Sequence, residues 1–150
     1  AQASGNIHQT LKDLASKYEY VIADTAGRDS RELRTGMTVA DVLISPARPS
    51  QYDLDTLPHL AEVYSQAKDL NPKLAGYLVL NLCPTNPVIK EVAAAQEFLA
   101  DYPEFKLANT LVYDRKAYRD AISEGKSVLE WTDAKAKHEI EALVGEIING

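Results

Sequence analysis

The chain carries a single cysteine, Cys83, among its 150 residues. No internal disulfide can form, and no metal site built on several thiolates can exist. That usage fits a reducing cytoplasm. No apolar run approaches the roughly 18 residues needed to span a bilayer, and no signal-peptide pattern is visible. An excess of positive charge is also missing. Sixteen Lys and Arg stand against 22 Asp and Glu, giving a formal net charge of -6 and a pI near 5.0. This argues against a domain that coats nucleic acid through its overall charge and leaves room only for a local basic patch. Internal repeats, low-complexity tracts and long linkers are absent as well.

What is present is ordinary globular composition, 45% apolar and 25% charged. The length suits one domain with a proper core, predicted here to cover residues 1–150. The sequence opens Ala1-Gln2-Ala3 without a methionine. Such a start is open to a mature secreted protein, a processed product or an excised fragment.

Hydrophobic periodicity predicts alternating helices and strands, hence an α/β fold: three layers, a mostly parallel sheet with helices on both faces. A helix is expected over about 6–17, with Ile7, Leu11, Leu14 and Ala15 on one side. The apolar run Tyr20–Asp24 reads as a strand buried on both faces. Residues 28–34 read as a loop entering a short helix. Val39–Ile44 reads as a second buried strand, stopped by Pro46 and Pro49. A helix from near Asp53 to Asp69 tolerates Pro58 in its first turn and ends at Asn71-Pro72. Leu74–Asn81 is a third strand. Asn86-Pro87 marks a helix start, the helix running to about Ala100. Lys106–Val112 is a fourth, more amphipathic strand. A short helix over Arg115–Ser123 closes at Gly125. The last helix, about 133–148, carries the stripe Ala136, Ile140, Leu143, Val144 and Ile147.

Three of these strands end in polar or turn-forming residues: Asp24-Thr25, Ser45-Pro46 and Asn81. In an open α/β sheet such tips line one edge, where ligands bind. Asp24 at a tip, followed by Thr25 and the turn-permitting Gly27, suits either a magnesium site beside a triphosphate or a plain cap on the next element. The Asn81 amide can donate to and accept from a purine edge, or simply cap a loop. His8, His59 and His138 lack metal-ligand spacing and read as ordinary residues. Cys83 has no identifiable catalytic partner. Arg115, Lys116, Arg119, Lys126, Lys135 and Lys137 alternate with acids, as a solvated mixed face does.

The order of the tips resembles the ParA/MinD family of deviant P-loop ATPases, and more closely the small ParA-like plasmid and chromosome partition proteins. Tyr20-Val21-Ile22-Ala23-Asp24-Thr25-Ala26-Gly27 resembles the family's second phosphate-site (Walker B) motif. The most specific match is Ala40-Asp41-Val42-Leu43-Ile44-Ser45-Pro46 with Arg48-Pro49-Ser50-Gln51-Tyr52-Asp53-Leu54. It resembles the segment A-D-x-V-(I/L)-x-P-x-x-P-S-x-x-D-(L/F). Tyr77–Asn81 resembles the strand whose terminal residue recognises adenine. Arg115 to Val128 fits R-x-x-(F/Y)-x-x-A-x-x-x-G-x-S-V. Two departures stand out: Ala26 replaces a common proline, and Leu82 replaces an arginine.

The resemblance implies an ATP-dependent partition protein that uses ATP and Mg2+. Asp24 would hold Mg2+ through water, Thr25 and Gly27 would shape the γ-phosphate switch, and Asn81 would read adenine. It also implies a homodimer, nonspecific DNA (with Arg115 and Lys116 as contacts), a centromere-binding partner protein, and a cytoplasmic, nucleoid-associated location without membrane attachment. The glycine-rich K-G-G-x-G-K-T loop of the family is nowhere in the chain. The sequence is therefore expected to be the C-terminal portion of such an ATPase, inactive alone, with the family's first strand missing between the run ending at Asp24 and the strand ending at Ile44. Other work within the superfamily is the alternative: a MinD-like regulator, a cobyrinic acid a,c-diamide synthase-like enzyme, or a non-catalytic module.

Overall fold

The computed structural model describes residues 2–26, 29–86, 88 and 90–149. Strands β1 (Val42–Ala47), β2 (Ala75–Leu80) and β3 (Lys106–Leu107) form an open sheet in the order β1-β2-β3. The Ala75 N–H donates to the Asp41 carbonyl and the Asn81 N–H to the Ala47 carbonyl, so β1 and β2 advance together, in parallel. β2 and β3 are parallel too, with Tyr77 opposite Lys106 and Leu78 opposite Leu107. Helices flank this sheet: α1 (His8–Ala15), α2 (Arg31–Met37), α3 (Gln51–Leu54), α4 (Leu57–Leu70), α5 (Glu91–Leu99), α6 (Lys116–Ser123) and α7 (Ala134–Asn149). This is the α/β architecture of a P-loop NTPase-like fold.

The central strand explains the sequence signal best. Gly76 through Leu80 are all buried, as expected of a parallel strand with neighbours on both sides. β1 is different. It is an edge strand, and Val42 and Ile44 are exposed along one of its faces.

By contact density the chain divides into two compact units, Ala1–Leu43 with Leu57–Gly76, and Ile44–Thr56 with Tyr77–Gly150. In the first, α1 docks on α2. The Ile7 N–H donates to Thr35 Oγ1 (3.1 Å), and His8 Nδ1 lies 2.8 Å from Thr38 Oγ1. Gly36 permits this approach, since a Cβ there would stand 3.3 Å from the Ile7 Cδ1. Ser30 caps α2 by accepting the Leu33 N–H. Met37, Leu57, Val63, Tyr64, Ala67 and Leu74 are buried. Asn71, just past α4, donates to the Met37 and Ala40 carbonyls at 2.9 and 2.7 Å and so ties α4 to the end of α2.

In the second unit, Val79, Ala108 and Val112 form a buried cluster with Tyr118 and Leu143 packed against it. Beyond β3 the parallel pairing resumes at Cys83 and Tyr113. In between, Glu146 of α7 takes the backbone N–H groups of Asn109 (2.6 Å) and Thr110 (3.0 Å). The predicted strand over Lys106–Val112 is thus cut short because a side-chain carboxylate replaces the neighbouring strand as acceptor. α6 is followed by Gly125 at φ 66°, a left-handed helix ending that glycine favours.

Three further expectations are corrected. Tyr20–Asp24 forms no strand: Tyr20 is 62% and Ile22 94% exposed. An apolar run of this length holds strand geometry only with partners alongside, and no strand among the described residues pairs with it. The helix expected from Asp53 to Asp69 is two helices. Pro58 has no N–H to bond the Leu54 carbonyl, and the break falls just before it. The helix expected to begin at Asn86-Pro87 begins at Glu91. Asn86 Oδ1 instead accepts the Val88 N–H (3.1 Å) in a local turn, and Pro87 lies outside the described residues.

Candidate functional site

The segment that matched most specifically in sequence builds a defined structure. β1 ends at Pro46-Ala47, the chain turns through Arg48-Pro49-Ser50, and α3 follows. Asp53 of α3 reaches back, its Oδ2 accepting the Arg48 N–H at 2.9 Å. The aspartate at this spacing therefore fixes the turn that follows the strand. Pro46, Ala47, Arg48 and Asp53 then share an open recess of about 190 Å3 with Asn81 and Leu82 at the tip of β2. Full small-molecule sites run from roughly 300 Å3 upward, so this recess has room for one part of a ligand.

Asn81 has its orientation fixed. Its N–H donates to the Ala47 carbonyl, and its Oδ1 accepts the Leu82 N–H at 2.9 Å. A backbone N–H can be accepted only by the amide oxygen, so the Nδ2 end is the one presented outward. Among the described residues no acceptor takes it. Leu82 has φ 54°, a left-handed conformation that costs a branched side chain of order 1 kcal/mol or more. Nothing in the sequence signalled this strained tip; the leucine stands where the family pattern has arginine.

The remaining sequence candidates lie elsewhere. Asp24 is exposed and Thr25 half-buried, on the irregular segment before α2. Gly27 lies outside the described residues. Asp24 and Thr25 offer hard oxygen donors of the kind Mg2+ takes, but no group of three or more acidic, His or Cys residues gathers among the described residues. Mg2+ is usually held by one or two carboxylates with phosphate and water completing the shell. One exposed carboxylate and one hydroxyl are the donors present, within the one or two side-chain oxygens that such a mode needs.

Arg115 precedes α6 and is occupied: its Nε and Nη2 lie 2.7 and 2.6 Å from Glu139 Oε1. Lys116 is largely exposed and pairs loosely with Asp120 at 3.2 Å. Sequence reasoning missed Glu139, whose buried carboxylate also receives the Tyr118 hydroxyl (3.0 Å). An acid inside the apolar stripe of α7 was the available signal. Cys83 is fully buried, and its thiol is pushed up to about 11 by burial first and by Glu139 second. That is an inert thiol.

An open parallel sheet flanked by helices, with a polar tip beside a strand–turn–helix recess, defines the P-loop NTPase-like class. The family model of the ATPase MipZ matches residues 2–71. A ParA family protein of Mycoplasma genitalium is 32% identical over 76 residues, which is 51% of this chain and 28% of that protein. A ParA family protein of Mycoplasma pneumoniae is 30% identical over 76 residues, with the same coverage. The maintenance of carboxysome distribution protein A of Halothiobacillus neapolitanus is 27% identical over 144 residues, covering 93% of this chain and 65% of that protein. These similarities are to ParA-like ATPases, and the family model covers just under half of this chain. The chain spans between about a quarter and two thirds of the length of these relatives.

Proposed function

We propose that the chain contributes the nucleotide-base side and the magnesium switch of a ParA-type partition ATPase. ATP held between two subunits drives dimerisation, the dimer binds nonspecific DNA on the nucleoid in the cytoplasm, and a centromere-binding partner stimulates hydrolysis and release. In this reading Asn81 offers its Nδ2 hydrogens to an acceptor on adenine. Asp24 holds Mg2+ through water, and Thr25 and Gly27 follow the γ-phosphate. Lys116 is the better placed of the two candidate DNA contacts, since Arg115 is engaged by Glu139.

The observation that carries this reading is the recess itself, where the family-like strand–turn–helix segment brings Arg48 and Asp53 beside the free amide hydrogens of Asn81. The relative aligned along most of the chain is named for carboxysome distribution, so plasmid or chromosome DNA is one class of cargo among those the family positions. No helix among the described residues is long and apolar enough to cross a membrane.

A phosphate loop is needed for this function, and the 150 residues contain none. Calorimetry with Mg-ATP is expected to give no tight binding by these residues alone. Joining them to the phosphate-loop segment of a ParA-like relative is expected to restore binding, and N81A to weaken it by about tenfold, one lost hydrogen bond to a base. Tight binding by the 150 residues alone overturns the requirement for a supplied loop. No binding by the joined protein overturns the ATPase reading.

A further inference from the structure

Asn81 shares the tip recess with a carboxylate of which the turn uses only half. Asp53 lines the recess, and its Oδ2 accepts the Arg48 N–H at 2.9 Å. No donor among the described residues takes its Oδ1. Asn81 is the converse case: its Oδ1 is spent on the Leu82 N–H, and the Nδ2 hydrogens are left over. The recess therefore offers a ligand one anionic acceptor and one amide donor. All its lining residues belong to the second unit, and the bond from the Asn81 N–H to the Ala47 carbonyl places it between two paired strand tips. It does not depend on what lies along the open edge of β1.

We propose that Asp53 selects the base: its free Oδ1 accepts the exocyclic 6-amino group of adenine while Asn81 Nδ2 donates to the neighbouring ring nitrogen. The proposal rests on the reading of this recess as the base subsite, and adds to it a residue that tells one purine from another. Adenine carries an amino donor at C6 beside the N7 acceptor, where guanine carries the O6 acceptor instead. On that edge guanine would set O6 against a carboxylate, two acceptors with no proton between them. Its other edge brings O6 together with two donors, N1–H and the 2-amino group. A carboxylate meets such a pair of donors with both oxygens, and here Oδ2 is committed to the turn. Sites built around hydrogen bonds discriminate strongly, because the wrong ligand leaves a polar group unpaired. One aspartate thus does two jobs, holding the turn with one oxygen and reading the ligand with the other.

The test needs no phosphate loop. In the 150-residue chain, millimolar AMP is expected to shift the Asn81 side-chain amide and the Arg48 and Leu82 N–H resonances, with Leu99 unchanged. Purine riboside monophosphate, which lacks the 6-amino group, is expected to bind about tenfold more weakly, one lost hydrogen bond, and GMP more weakly still. D53N keeps an oxygen for the Arg48 N–H and sets an NH2 in place of the free oxygen. It is expected to invert the order of AMP and GMP, with the Arg48 N–H still protected from exchange. Equal affinity of the unsubstituted chain for AMP and purine riboside monophosphate overturns the proposal, and that comparison stands even where D53N fails to fold. A folded D53N chain that keeps the preference for AMP overturns it as well. No shift at Arg48, Asn81 and Leu82 with AMP removes the base from the recess and the proposal with it, while ATP binding by the protein joined to a phosphate loop then leaves the ATPase reading intact. Base-selective shifts in the chain, together with no ATP binding by the joined protein, support the role of Asp53 and count against the ATPase reading instead.

Discussion

Glu139 concentrates more of the second unit's polar chemistry than any residue the sequence singled out. It is 9% exposed and holds Arg115 through Nε and Nη2, the Tyr118 hydroxyl and the Tyr113 N–H. Three parts of the chain meet there: the resumed pairing at Tyr113, the start of α6, and α7. Burial first, and the bond to Glu139 second, push the Tyr118 hydroxyl well above its ordinary value, so it stays a donor at any working pH. Removing one member of a buried ion pair strands the other, at a cost of about 3–5 kcal/mol. Arg115 keeps some solvent contact, its side chain 21% exposed. E139A is therefore expected to lower unfolding free energy by about 3 kcal/mol in urea titrations, the low end of that range. A double cycle with R115A is expected to give coupling above about 1 kcal/mol. Additive losses would mean that the fork contributes nothing net. Loss of DNA affinity in R115A alone then reads as lost structure, whereas a loss in K116A with unchanged stability reads as a lost contact.

Among the elements, the link between α7 and the interrupted strand depends on one carboxylate, and its pH dependence has a definite sign. Burial raises the Glu146 pKa, but the N–H groups of Asn109 and Thr110 outweigh it and leave the carboxyl below its ordinary 4.5. A depressed carboxyl stabilises the fold above its unfolded value and loses that contribution as pH falls through the folded one. E146A is expected to cost about 1.5–3 kcal/mol at pH 7, the range for bonds to a charged group. The gap from the unsubstituted chain should close below pH 4.5; a gap constant from pH 7 to 3 would remove the carboxylate from the account. This interaction also shows where sequence reading stops. Lys106–Val112 has strand-like alternation, yet nothing local reveals that an acid 37 residues downstream from Asn109 takes over its hydrogen bonding. Elements set by local chemistry were legible: the continuous apolar run of β2, Ile7, Leu11 and Leu14 at α1, Ala136, Ile140 and Leu143 on α7 (though not Ala15 or Val144, which are exposed), and the proline that places α4. The Asp53–Arg48 turn was legible only as a pattern, its mechanical reason appearing in the fold. The orientation of Asn81 and the left-handed Leu82 were not legible, because both depend on how the tip closes. Tyr20–Asp24 failed for the opposite reason. Its composition reads as a buried strand, but burial is a property of partners, and composition cannot supply them.

At the scale of the whole molecule, that unpaired run and the bare face of β1 belong to one problem. β1 is an edge strand with Val42 36% and Ile44 48% exposed, and Ile22 stands almost entirely in solvent. Edges with apolar side chains and free backbone groups pair with whatever strand is offered. The two forms of self-association open to the chain are then distinguishable. Dimerisation around ATP needs the loop and is expected to follow nucleotide. Pairing at the β1 edge needs neither, and is expected in the 150 residues as an average mass that rises with concentration in sedimentation. A lysine on the edge disfavours strand addition and leaves a solvent-facing site otherwise undisturbed. I44K is therefore expected to return the chain to monomer, with its urea midpoint held to within what a surface change of about 0.5 kcal/mol produces. An I44K chain that still associates would move the contact away from β1. A chain that stays monomeric at all concentrations before substitution would mean the open edge is already protected. In the protein joined to a phosphate loop, I44K is expected to leave ATP-dependent dimerisation unchanged; its loss there would mean that the β1 edge takes part in that dimer.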